Sequence, residues 1–132
     1  MRLRREKKSS PLEQREDHLR VGRAAAPVLR EVSPTATVVS VRLHFIAPTL
    51  PAHAEQSFEL YPSATAYFEY PCPHGDCDGI IDVSLDARRT LEGKRRQIAG
   101  TLECSGHRGL ARKPCGLRVS YTISAQHSRE RS

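Results

Sequence analysis

The chain has 132 residues, 27% of them charged and 5% aromatic, with a net charge of +6 and a mean hydropathy of −0.53. That is length for one domain with a modest apolar core, of the kind a metal or disulfides often staple. No run approaches the roughly 20 apolar residues that a membrane-spanning helix needs, which excludes that class.

The charge is unevenly placed. Residues 1–34 carry nine Lys/Arg against five Asp/Glu, residues 35–71 one against three, and residues 72–132 eleven against seven. A pI near 9.5 fits polyanion partners such as RNA or DNA, although arginine-rich surfaces also serve solubility alone. The basic start, Met1-Arg-Leu-Arg-Arg-Glu-Lys-Lys, is followed by no apolar signal core. The expected compartment is therefore the cytoplasm, where thiols stay reduced and paired cysteines favour metal over disulfide.

Residues 1–34 read as a basic, mostly disordered leader. Ser10-Pro-Leu-Glu13 has the form of a capping box with proline at the first helical position. It predicts a short exposed helix from Pro11 to about Arg20, stopping at Gly22. Leu12, Leu19 and Val21 are too few to make a docking stripe.

From Thr35 the pattern changes to the period-two alternation of half-buried strands. The first predicted strand is Val38 to Phe45, with Val39, Val41, Leu43 and Phe45 on one face. Ala47 to His53 follows as a loop with two prolines. A second strand is expected at Ala64 to Tyr70, and a third at Ile80 to Leu85 with Ile81, Val83 and Leu85 inward. A fourth covers Gln97 to Glu103 and a fifth Leu117 to Ile123. The fold class expected is all-β: a small antiparallel sheet of about five strands over residues 35–127, with residues 128–132 a frayed tail.

All four cysteines, Cys72, Cys77, Cys104 and Cys115, fall at predicted strand ends or turns. If the third and fourth strands form a hairpin, its base brings the two pairs together. Four thiolates can then converge on a structural zinc ion, whose soft sulfur ligands close its tetrahedral shell. Gly79 relieves crowding where the chain leaves the metal. Cys104-Ser-Gly-His107 offers a rival ligand in place of Cys115, and His74 lies inside the first turn. Either histidine can also act as a polar loop residue that bonds a thiolate.

Cys72-Pro-x-x-x-Cys77-x-Gly79, then strand-turn-strand, then Cys104-x-Gly106 and Cys115 resembles a zinc ribbon. Over about residues 70–125 it is similar in outline to the four-cysteine ribbons of bacterial topoisomerase I and of transcription and ribosomal proteins. The resemblance implies that the four cysteines are the zinc ligands. It implies little about function, since ribbons are grafted onto many activities.

Between the third and fourth predicted strands lie Arg88, Arg89, Lys94, Arg95 and Arg96 around Gly93. On a hairpin tip they would present a compact positive surface for phosphate, although no aromatic is interleaved for base stacking. Asp76, Asp78, Asp82 and Asp86 read as a solvated outer face. There is no nucleophile elbow, P-loop or catalytic zinc motif. The leading expectation is a non-enzymatic structural-zinc accessory protein that contacts RNA, DNA or a nucleoprotein machine. The alternative is a protein-interaction adaptor using an exposed sheet edge or the apolar Phe58-Glu-Leu-Tyr61 loop.

Overall fold

A computed structural model of the chain describes residues 10–46, 55–93 and 96–128. The elements run α1 (Pro11–Ala25), α2 (Leu29–Val32), β1 (Ala36–Ile46), β2 (Glu55–Leu60), β3 (Glu69–Pro71), β4 (Ile80–Asp82), α3 (Ser84–Leu91), β5 (Gln97–Glu103), β6 (His107–Arg108), β7 (Lys113–Pro114) and β8 (Arg118–His127). The principal sheet is antiparallel, in the order β2-β1-β8-β5. β3 pairs with β4, and β6 with β7.

Alternation builds the core as the sequence implies. Val39, Val41, Leu43 and Phe45 of β1 are buried, and register sets Val41 between Phe58 of β2 and Ile123 of β8. Against this face pack Leu29, Phe68, Ile81, Val83, Ala87 and Leu91. The other face is polar and at least partly open, with Arg42 and His44 beside Ser120 and Thr122. No helix among the described residues is long and apolar enough to cross a membrane.

The all-β expectation is corrected to a mostly β fold with three helices. The third predicted strand ends at Asp82, and α3 takes over. Val83, Ala87, Thr90 and Leu91 form a buried stripe at helical spacing, whereas Leu85, expected inward, is 62% exposed. Asp82 Oδ1 accepts from the Ser84 N–H and turns the chain into the helix. No hairpin joins Ile80–Leu85 to Gln97–Glu103; β4 pairs with β3, and β5 with β8. The segment Ala64–Phe68 is irregular, and Phe58-Glu-Leu-Tyr61 lies mostly in β2 rather than a loop. The predicted loop Ala47–His53 lies outside the described residues.

The disordered leader is corrected over residues 10–34. Ser10 and Glu13 form the predicted capping box, but α1 continues through Gly22 to Ala25. Tertiary contacts carry it past the glycine. Leu19 is buried, His18 bonds Glu69 at 2.8 Å, and Gly22 lies against Tyr67. Residues 1–9 lie outside the described residues. At the other end β8 extends to His127, where Thr35 Oγ1 and His127 Nδ1 lie 2.8 Å apart.

Candidate metal centre

Two hairpins meet tip to tip. β3 and β4 are joined by the turn that holds Cys72 and Cys77, and β5 and β8 by the loop that holds Cys104 and Cys115. The ladders run into both turns: the Cys72 N–H donates to the Gly79 carbonyl at 3.1 Å, and the Cys104 N–H to the Leu117 carbonyl at 2.7 Å. The cysteines thus sit at strand ends as expected, but each pair occupies the tip of its own hairpin rather than a shared base.

The four Sγ atoms lie within 4.8 Å of one another, and all four cysteines are free. The closest sulfurs come from opposite hairpins, Cys72 with Cys115 at 3.8 Å and Cys77 with Cys104 at 3.6 Å. Sulfurs bound tetrahedrally at about 2.3 Å from an ion stand about 3.8 Å apart. The cluster therefore has the size and donor set to hold a metal ion.

The local backbone explains why the sulfurs converge. Cys77-Asp78-Gly79 and Cys104-Ser105-Gly106 are two copies of one device. In each, the glycine N–H donates back to the sulfur, at 3.2 Å for Gly79 and 3.4 Å for Gly106. The two glycines touch each other. A Cβ on Gly79 would fall 2.1 Å from Cys104 Sγ, and one on Gly106 2.4 Å from the Gly79 Cα. The contact needs glycine for room at both places.

Side chains clasp the tips together. Asp78 Oδ1 accepts from the His107 N–H at 2.7 Å, and its other oxygen pairs with Arg112 at 2.7 Å. Asp76 pairs with Arg108 at 2.9 Å. These partners hold both carboxyls below their ordinary range: for Asp76 chiefly Arg108, for Asp78 chiefly the His107 N–H and then Arg112. The solvated reading of Asp76 and Asp78 is thereby corrected. Asp86 is engaged too, accepting from Tyr121 and pairing with Arg89.

Four clustered thiols cannot all ionise without a cation. The neighbouring Cys104 and burial raise Cys72, whereas the neighbouring Cys72 and the Gly106 N–H pull Cys104 down to about 5. Burial pushes Cys77 up to about 12. Burial and the neighbouring sulfurs thus disfavour charge on Cys72 and Cys77, and a divalent ion would offset that cost. Cationic groups already surround the cluster. Besides Arg108 and Arg112, Arg15 of α1 donates to the Cys77 carbonyl.

His74 is buried, with Nδ1 3.5 Å from Cys115 Sγ. Burial, then the nearby Arg108, lowers its pKa and so disfavours a charge on the ring beside the sulfur. Among the described residues the donor cluster comprises the four sulfurs, without either histidine. His107 contributes its backbone to the clasp.

The described basic residues, Arg88, Arg89 and Arg96, do not sit on a hairpin tip. Arg88 and Arg89 stand on α3, Arg89 paired with Asp86, and Arg96 precedes β5. Lys94 and Arg95 lie outside the described residues. Sequence reasoning missed Arg15. The inward residues of α1 are Leu12, Arg15, Leu19 and Gly22, a helical stripe disguised by a charge and a glycine. Comparison with protein-family models, curated proteins and solved structures yields no match to this chain.

Proposed function

We propose that the protein is a small accessory module, not an enzyme, built around a structural zinc ion held by Cys72, Cys77, Cys104 and Cys115. The observation that carries this reading is the cluster of four sulfurs, all within 4.8 Å of one another, closed by two facing glycine turns. Zinc suits it because it takes four thiolates tetrahedrally and has no redox chemistry of its own to disturb them. Four sulfurs fill the shell and leave no position for a substrate, which supports a structural role.

We further propose that the module works by docking a polypeptide. The nucleic-acid reading drew its force from five cations on one projecting tip. With Arg88 and Arg89 on a helix and Arg89 tied to Asp86, that support is weaker. An open sheet edge beside an aromatic groove, at β2, favours a protein partner.

The test is metal content with and without chelator, alongside binding of a single-stranded oligonucleotide over a salt series. The expected result is stoichiometric zinc and no specific oligonucleotide binding. Salt-dependent affinity that falls when Arg88, Arg89, Lys94, Arg95 and Arg96 are changed to Ala would restore the nucleic-acid function.

A further inference from the structure

A groove runs beside β2, and five consecutive residues, Gln56 to Leu60, line it. Side chains of consecutive strand residues point to opposite faces. The groove is therefore walled by the edge of the strand, not by one of its faces. β2 ends the sheet order and pairs only with β1 among the described residues. No backbone bond from Glu55–Leu60 reaches any other described segment. Its outward N–H and C=O groups are open to a further strand.

The opposite wall carries Tyr67 and Tyr70, with Arg23 of α1 above them. Tyr70 is 5% exposed and stacks on Phe58 with ring centroids 4.4 Å apart. Among the described residues neither its hydroxyl nor that of Tyr67 has a hydrogen-bond partner. Two buried unpaired donors at one groove are costly and need a reason. Arg23 lies 5.5 Å from the Tyr67 ring centre, is exposed, and has no carboxylate partner among the described residues. Glu59 also lines the groove but already accepts from the Tyr61 hydroxyl, so a guanidinium and two phenol donors beside the strand edge leave donors in surplus.

We propose that this groove receives an extended polypeptide segment, which adds to the sheet at β2 and sets one acidic side chain among Arg23, Tyr67 and Tyr70. Backbone bonds to the edge supply general affinity, and the carboxylate supplies selection. Phe58 and Tyr70 form the apolar floor for a neighbouring side chain of the guest. This rests on the reading of the protein as a polypeptide-docking module and names the chemistry of its partner.

The experiment uses the full, metal-loaded chain, with zinc content measured on the same sample. End-blocked peptides of alternating valine and threonine, flanked by lysines, carry a single glutamate walked along the chain. Binding is followed by amide NMR and hydrogen exchange. The expected result is slowed exchange at alternate amides of Gln56 to Leu60 and an affinity that peaks at one glutamate position. Replacing that glutamate by glutamine should weaken binding about tenfold or more. Arg23→Ala should abolish the preference for glutamate over glutamine. Tyr70→Phe keeps the ring, so it should leave the fold intact and weaken the acidic peptide. Binding that maps away from β2, or equal affinity for the glutamate and glutamine peptides, overturns the groove while leaving a polypeptide role standing. Binding of oligothymidylate with no peptide binding overturns both.

Discussion

Gly79 shows how closely the metal centre is drawn. Its hydrogen stands where any larger residue would strike Cys104 Sγ at 2.1 Å, and Gly106 presses on it from the other hairpin. Gly79→Ala is expected to destabilise the protein by about 4 kcal/mol or more, since neither a backbone nor a ligand sulfur can yield cheaply. Gly75 is the control in the same turn. A Cβ there meets nothing within 4 Å, and its φ is not positive. Gly75→Ala should be neutral or stabilising by up to about 1 kcal/mol. Thermal melts of the two metal-loaded variants read the difference. Equal effects would mean that the tips are not in contact.

Elements show how much was legible in the chain. β1 and β5 were readable because one face of each is turned inward, fully buried in β1 and partly in β5, and Gln97–Glu103 was placed at its true ends. The cysteine cluster was readable because thiolate chemistry leaves few other uses for four close-set cysteines. α3 was missed because Ile81, Val83 and Leu85 alternate like a strand, while its buried stripe continues through Ala87 and Thr90, which carry little apolar weight. β2 was missed because an edge strand needs only one good face, here Phe58 and Leu60. α1 was found but left undocked, since Arg15 and Gly22 serve on its inner face. Two pairs of variants check these elements. Leu85→Asp should change stability by less than about 0.5 kcal/mol, whereas Ala87→Asp, at a position with no exposure, should prevent folding. Leu19→Ala should cost about 2–5 kcal/mol and expose α1 to protease, whereas Val21→Ala, at a site 56% exposed, should do neither. Denaturant melts with limited proteolysis measure both. A fatal Leu85→Asp would restore the hairpin.

At the scale of the molecule, two hairpins that belong to different sheets meet at their tips through four close-set sulfurs and a clasp of ion pairs, and α1 packs along the β3–β4 hairpin. Helix α1 spans the arrangement. Arg15 reaches the Cys77 carbonyl near one end, and Arg23 covers Tyr67 near the other. Metal loss should therefore loosen α1 as well as the tips and disturb the groove beside β2. Removing zinc from a peptide-bound sample is expected to lower peptide affinity without any change to the groove residues. Structural zinc sites contribute on the order of 10–16 kcal/mol of binding free energy coupled to folding. A core with 5% aromatic residues has little with which to replace it. Native mass spectrometry of the purified chain, before and after chelation, reads stoichiometry and compactness together. The expected spectrum shows a single zinc ion per chain in a narrow, low charge-state envelope that broadens to high charge when the ion is stripped. A metal-free chain that keeps the same narrow envelope would contradict the role assigned to Cys72, Cys77, Cys104 and Cys115.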